Sequence, residues 1–358
     1  MKTIKFKCHE TQEGEIIIGS HLFDDFENSL LIETLNSLNI EKFIIITDAT
    51  ISKLYLQTVL NFFSIISPVH FIVIDEKEES KTLQIVNYLC EHLTNLGLSK
   101  NSCLIALGGG VVGDITGFVA SILFRGINFI QIPTSFLSQV DSSIGGKNGV
   151  NVNSYKNYIG TIYPASLVIS DVAFLNSLSQ EEFLNGIAEL IKISILCDKD
   201  LFNYLKTNYQ NIVKFQKENL IHIIKTGVEL KNKFVEKDLN DASERKALNF
   251  GHTIGHAIET ASNFSISHGF AVSIGMAYEI QLTSKLGITP NNIVEETLEV
   301  LKLYNLPYQL ENNLLNKAIE SIAFDKKKEQ NKITMPIIKE IGKSNLEKVN
   351  IESFNLLK

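Results

Sequence analysis

Cysteine is scarce in this chain of 358 residues. The four copies, Cys8, Cys90, Cys103 and Cys197, lie far apart and never in CxxC spacing. That excludes a disulfide frame and a cysteine-built zinc cluster, and leaves reduced thiols of the cytoplasmic kind. No apolar run approaches the roughly 18 residues of a membrane-spanning helix. The opening MKTIKFKCHE carries charge with no apolar stretch behind it, so it does not read as a secretory signal. The expectation is a soluble cytoplasmic protein. Basic residues are not in excess: 33 Lys and Arg face 40 Asp and Glu, a net charge of −7. A field of that sign does not attract DNA or RNA. An anionic ligand must therefore be held by a local cluster of cations. Internal repeats and low-complexity linkers are also missing. With 44% hydrophobic and 20% charged residues, the chain can bury a normal core, and its length suits two domains.

What is present divides near residue 178. Before it, short runs rich in Ile, Val and Phe alternate with helical patterns such as KTLQIVNYLCEHLTNLG (81–97). The runs at Glu15–Gly19, Lys42–Thr47, Val69–Asp75, Ser102–Leu107, Asn128–Ile132 and Leu167–Ser170 read as strands. Such alternation predicts a parallel sheet covered on both faces. After it, Ser179 with Glu182 three residues on gives a capping-box pattern, and nearly everything to about residue 320 reads as helix. ITMPII and LEKVNI near the end predict a short β pair. DKKKEQNK (325–332) reads as a solvated loop. The expected organisation is an α/β nucleotide-binding domain with a Rossmann-like parallel sheet over 1–178, then a mainly α-helical metal-binding domain over 179–358.

Residues able to carry chemistry gather in four places. LGGGVVGD (Leu107–Asp114) sets Gly108, Gly110 and Gly113 in GxGxxG spacing between an expected strand and an expected helix. Such glycines let the backbone approach a pyrophosphate at a helix N-terminus. A tight strand–helix turn uses glycine in the same way, and here the glycines follow a middle strand, unlike a standard dinucleotide unit. Asp48 ends an earlier strand, where it suits a ribose hydroxyl, and Thr134 and Ser135 add hydroxyls at a third strand end. The polar stretch LSQVDSSIGGKNGVN (137–151), followed by KNYIG (156–160), is broken by glycines and reads as a surface loop. Its Asp141, Lys147, Lys156 and Asn157 suit a polar, anionic ligand. In GIAELIK (186–192), Glu189 and Lys192 share a helix face. A solvated pair would look alike, but their apolar neighbours argue for a cleft. RKALNFGHTIGHAIE (245–259) places His252 and His256 four apart, with His268 following in SHG. Helical histidines are often structural, yet this density favours a site. Histidine and carboxylate donors suit zinc with three protein ligands and an open position. HExxH is absent, so a metalloprotease reading fails.

In order and spacing, GGGVVGDITGFVAS, FRGINFIQIPTSFLSQVDSSIGGK, KNYIG, GIAELIK and LNFGHTIGHAIE resemble the motifs of the 3-dehydroquinate synthase family, over roughly residues 15 to 343. The resemblance implies an N-terminal NAD-binding domain and a helical metal domain in a homodimer. It implies a lyase of the shikimate pathway, supplying aromatic amino acids through chorismate. Its reaction takes 3-deoxy-D-arabino-heptulosonate 7-phosphate to 3-dehydroquinate and phosphate by transient oxidation, phosphate elimination, re-reduction and aldol closure. Zinc or cobalt ligands would be Glu189, His252 and His268. NAD contacts would be Asp48, Glu78, Lys81, Gly109, Gly110, Val111, Asp114, Thr134, Ser135, Lys147, Lys156, Phe174 and Ser177. Substrate contacts would be Arg125, Asp141, Lys147, Asn157, Lys192, Lys231, Arg245, Asn249 and His256, with Lys326 or Lys327, and Arg125 would reach the neighbouring subunit's site. Four positions depart from the family's usual residues: Asn148 for Thr or Val, Asp241 for Glu, Ser177 for Thr, and Phe270 for the Glu of HGE. Other sugar-phosphate cyclases, such as 2-deoxy-scyllo-inosose synthase, and metal-dependent polyol dehydrogenases of the glycerol dehydrogenase type are the alternatives. The dense Lys and Arg set argues against a neutral polyol.

Overall fold

The structure is a computed structural model that describes residues 13–24, 29–75, 77–153, 155–241, 243–325 and 331–358. Lys326, Lys327 and Cys8 lie outside the described residues. The chain forms two compact units. One holds 23–132 and 146–170 with the residues up to Ile17; the other holds Ile18–Leu22, Pro133–Gly145 and Asp171–Lys358.

The first unit is built on a six-stranded sheet. Its strands are β1 (Glu15–Gly19), β2 (Lys42–Asp48), β3 (Val69–Ile74), β4 (Ser102–Gly108), β5 (Asn128–Pro133) and, after a hairpin, β8 (Leu167–Asp171). The order is β1-β8-β5-β4-β2-β3, with β2 parallel to both β3 and β4, and β5 parallel to β8. All six expected strands are present within a residue or so of their expected ends. The central strands are apolar on both faces, as parallel strands covered by helices must be. Phe43, Ile44, Ile45 and Ile46 of β2 and Cys103, Leu104, Ile105 and Leu107 of β4 are fully buried. Helix α1 (Leu83–Asn95) covers the sheet with Val86, Leu89 and Leu93, and α2 (Gly110–Ile122) with Val112, Ile115 and Val119.

One expectation fails here. The polar stretch read as a loop contains an antiparallel hairpin, β6 (Lys147–Val152) and β7 (Tyr155–Ile162). A two-residue connection joins Val152 to Tyr155, and its Asn153 sits at φ +53°, the left-handed conformation that asparagine tolerates and tight hairpins need. Gly149 faces Gly160 across the pair, which brings the two backbones close. Ahead of the hairpin, Ser138–Ser142 forms a helical turn.

The second unit is mainly helical, as expected. Ser179 caps α3 (Gln180–Cys197) by accepting the Glu182 N–H at 3.2 Å. Helices α4 (Lys217–Lys237), α5 (His252–Ala261) and α6 (His268–Lys285) complete the part that matters for the site. The terminal β pair is present as β9 (Lys332–Glu340) and β10 (Lys343–Asn350), antiparallel. Ile333, Met335, Ile337 and Val349 of that pair bury against Ile254, Ile258 and Ile274. Helix α3 is buried nearly all round, from Phe183 to Leu196, so the polar residues within it sit in the core. Cys103 and Cys197 are free thiols, and burial pushes Cys197 up to about 12, so it is not a nucleophile. Among the described residues, no helix is long and apolar enough to cross a membrane.

Candidate functional site

In the first unit the glycine run lies between β4 and α2. Gly108 ends the strand, Gly109 precedes the helix and Gly110 begins it. The exposed N–H groups of the first turn and the positive end of the helix dipole meet there. Asp114, one turn in, is ion-paired with Lys81. Lys81 is buried and also donates to the Asn157 side chain. Asn151 ties this group together, although the sequence reading gave it no role. It donates to Glu78 at 2.8 Å, accepts the Asn157 N–H at 2.8 Å, and its own N–H reaches the Lys81 carbonyl at 2.7 Å. Glu78, Lys81, Asp114 and Asn157 therefore belong to one network. Asn157 adopts φ +53°, held there by these contacts. Asp48 is buried and caps the helical turn after β2, accepting from Thr50 and Ile51 at 2.9 and 2.8 Å. Arg125, Lys147 and Lys156 are exposed, and Val111 is half-buried.

Asn148, the unusual residue after GGK, is buried. Its amide donates to the carbonyls of Gly146 and Tyr163, both at 2.8 Å, and so joins the two ends of the hairpin. Thr or Val could not make this bridge.

Thr134 and Ser135 belong to the second unit. Thr134 is buried, and Ser135 shares a 2.8 Å hydrogen bond with Ser138. Phe174 is buried, and Ser177 donates to its carbonyl at 3.1 Å.

The densest charge lies around α3. Glu189 and Lys192 are ion-paired, and both are buried. A cleft position, not a solvated face, is what the structure shows for this pair. Lys231 of α4 donates to both the carboxylate and the carbonyl of Asp141 at 2.6 Å. Arg245 is buried on the turn before α5 and donates to the Leu239 carbonyl at 2.9 Å. Gly145 approaches it closely: a Cβ there would lie 2.5 Å from the guanidinium, and φ is +92°. Asn249 and His256 are exposed. A small cavity is lined by Asp141, Glu189 and Lys192 with Val140, Leu190, Ile193 and Leu248.

Helices α3, α5 and α6 bring Glu189, His252 and His268 together, with one donor atom from each within 4.8 Å of the others. The Nε2 atoms of His252 and His268 each stand 3.6 Å from Glu189 Oε1. That is too long for a hydrogen bond, and Glu189 Oε1 is buried with no hydrogen-bond partner. An orphaned carboxylate oxygen facing two imidazole nitrogens fits a divalent ion, and the N,N,O set suits zinc or cobalt. Electrostatics agree. Burial pushes Glu189 up, but the Lys192 charge beside it outweighs burial and holds the carboxyl well below its ordinary value. Burial, helped by Lys192, lowers His252 to about 3, so its ring is neutral and its lone pair available. Burial also opposes charge on His268, yet the facing carboxylates of Glu189 and Glu259 raise it to about 10 when no metal is bound.

Two buried carboxylates near this trio had no role in the sequence reading. Glu279 of α6 accepts the N–H groups of Gly251 and Ile254 at 2.8 and 3.2 Å, which secures the start of α5 beside His252. Glu259 of α5 contacts His268 Nδ1 at 3.3 Å. Spacing offers a signal for Glu259 alone, since 252, 256 and 259 fall on one helical face.

Comparison with known proteins agrees. A profile described as 3-dehydroquinate synthase N-terminal matches residues 71–185, and one described as 3-dehydroquinate synthase C-terminal matches 186–328. The chain is 44% identical over 335 residues to the 3-dehydroquinate synthase of Thermodesulfovibrio yellowstonii, covering 92% of each chain. It is 39% identical over 323 residues to that of Pyrococcus furiosus, covering 90% of this chain and 93% of the other. Among solved structures, 2-epi-5-epi-valiolone synthase from Streptomyces hygroscopicus, with NAD+ and Zn2+ bound, superposes with a TM-score of 0.86 at 24% identity, covering 99% and 98% of the two chains. A 2-deoxy-scyllo-inosose synthase complexed with carbaglucose-6-phosphate, NAD+ and Co2+ gives 0.85 at 25% identity, covering 96% and 95%. The two profile matches, together with relatives this similar over nine-tenths of the chain, place it in the 3-dehydroquinate synthase family.

Proposed function

We propose that the chain converts 3-deoxy-D-arabino-heptulosonate 7-phosphate to 3-dehydroquinate and inorganic phosphate, as a carbon–oxygen lyase. The observation that carries this reading is the grouping of three buried cations, Lys192, Lys231 and Arg245, with the Glu189, His252 and His268 trio. The substrate bears a phosphate and a carboxylate, and an acidic protein must collect cations locally to hold both. Lys192, Lys231 and Arg245, together with a divalent ion, would supply the local positive charge that a phosphate and a carboxylate require.

Glu189, His252 and His268 would hold the metal, whose Lewis acidity would acidify a coordinated hydroxyl. Asp48, Glu78, Lys81, Gly109, Gly110, Val111, Asp114, Thr134, Ser135, Lys147, Lys156, Phe174 and Ser177 would hold NAD+, which would supply reversible hydride transfer with no net redox change. Arg245 offers a planar fork to a carboxylate or phosphate, and Lys192 and Lys231 act as point charges. Asp141 holds the Lys231 ammonium in place through its carboxylate and carbonyl. Burial of these cations strengthens their hold on the leaving phosphate, whose departure they favour by stabilising its charge. Lys147, Asn157, Asn249 and His256 complete the substrate contacts, with Lys326 or Lys327. The protein otherwise orients groups and excludes water. The reading extends to a homodimer in the cytoplasm, in which the exposed Arg125 serves the partner's site.

Phosphate release followed alongside NADH absorbance tests this. One bound NAD+ supports many turnovers, and NADH stays transient. A polyol dehydrogenase gives the opposite: steady NADH accumulation matching substrate loss, without phosphate, would overturn the assignment.

A further inference from the structure

We propose that Glu259 is a positioning residue for the metal site: it fixes the ring of His268 so that Nε2, and not Nδ1, faces the ion. The inference rests on the assignment of Glu189, His252 and His268 as the metal-binding trio. Glu259 sits two turns along α5 from His252, on the same face, and only 4% of it is exposed. A carboxylate so deeply buried needs a partner. One is His268, the first residue of α6, whose Nδ1 lies 3.3 Å from Glu259 Oε2. The opposite nitrogen of the same ring, Nε2, lies 3.6 Å from the orphaned Glu189 oxygen. An imidazole that donates from Nδ1 to a carboxylate carries its proton there, and its lone pair is then on Nε2. His252 is set differently, for its Nδ1 faces the Phe250 carbonyl at 3.2 Å, a neutral acceptor. The two imidazoles therefore differ in support, one backed by a carbonyl and one by a carboxylate. A carboxylate behind a ligating histidine raises its basicity and locks its orientation, and its loss typically costs 10–100-fold in metal affinity. The Phe270 side chain, two residues beyond His268, offers no acceptor, and the carboxylate that meets His268 Nδ1 belongs to α5.

A rival placement exists. His256, Glu259 and His268 also offer donor atoms within 4.8 Å of one another. It fits less well: His256 is exposed, and the facing atoms of Glu259 and His268 are already hydrogen-bonded to each other.

The test is Co2+ binding to the full-length metal-free chain, read from visible absorption in competition with a chelator. Wild type, Glu259→Gln and Glu259→Ala are compared, with thermal melting of the metal-free forms and NAD+ binding as measures of folding. Glutamine keeps the shape and an acceptor but not the charge. The expected result is a loss of about 10–100-fold for alanine and a smaller loss for glutamine, with melting and NAD+ binding as in wild type. Wild-type affinity in a folded Glu259→Gln protein would overturn the proposal. The zinc-loaded wild type supplies a reading without variants. Nitrogen-15 spectra should show His268 protonated at Nδ1, and a metal-bound or unprotonated Nδ1 would overturn the proposal whatever the variants do. Failure of the wild-type chain to bind Co2+ would instead overturn the metal assignment, and this inference with it.

Discussion

Lys231 and Asp141 show how single residues set the site's charge. Lys231 is almost fully buried, and its ammonium is satisfied by Asp141 through both carboxylate and carbonyl. Burial drives Lys231 down, and only the nearby Asp141 charge opposes it. Removing one partner of a buried pair costs about 3–5 kcal/mol. The Asp141 side chain is 33% exposed, so water offsets part of the loss, and Asp141→Asn should cost about 1–3 kcal/mol. The pH dependence has a definite sign. Burial raises the Asp141 carboxyl, but Lys231 outweighs it and the net shift is downward. Its contribution is then present above the unfolded value of about 4 and is lost as pH falls through the lower folded value. Chemical denaturation of wild type and variant should show the widest stability gap near neutral pH, closing in acid. A gap independent of pH would contradict the ion pair. The polar stretch at 137–151 pointed to Asp141 and the family resemblance implied Lys231, but only the fold shows that they hold each other. They lie 90 residues apart.

At the scale of elements, α5 has an unusual beginning. Gly251 adopts φ +78°, where a side chain would be strained and would also collide with Met276. The helix that follows carries His252, and its first N–H groups are met by Glu279 from α6 instead of a local cap. Glu279→Ala would leave buried N–H groups without an acceptor, at about 1–3 kcal/mol. Because the cap and His252, a proposed metal ligand, share one turn, that variant should melt lower and bind metal more weakly. Glu279→Gln keeps an acceptor and should recover much of the stability. Equal melting of wild type and the alanine variant would show that the cap is redundant. Neither Glu279 nor Asn151 was legible beforehand. An acidic residue on a helix ordinarily reads as solvated, and the partners of Glu279 lie 25 and 28 residues away. The strands were legible for the opposite reason. Runs such as FIIIT and CLIAL are buried on both faces, and burial writes itself into composition. The β6–β7 hairpin escaped because β7 is largely exposed and glycines face each other where apolar cross-strand pairs would have marked it.

For the whole molecule, the proposed metal trio of Glu189, His252 and His268 would have a consequence that activity does not report. Its ligands come from three separate helices, α3, α5 and α6, so an ion held by all three cross-links the interior of the second unit. A ligand that binds the folded state and not the unfolded one stabilises by RT ln(1 + [L]/Kd), about 2.7 kcal/mol at 100 times Kd. Unfolded His and Glu residues bind zinc weakly, so most of that gain should survive. An ion held there would also meet the Glu189 oxygen that has no hydrogen-bond partner. Calorimetric melting should therefore shift upward as Zn2+ is added to chelator-treated protein, and continue to rise with free metal concentration. Glu189→Gln removes the central charge while keeping the volume, and its melting temperature should be nearly indifferent to zinc. The two compact units offer an internal comparison, since none of the trio lies in the first. Limited proteolysis or hydrogen exchange should find the metal's protection concentrated in α3, α5 and α6, with the sheet of the first unit little changed. Protection spread equally over β2 and β4, or a Glu189→Gln protein stabilised as much as wild type, would remove the ion from this trio.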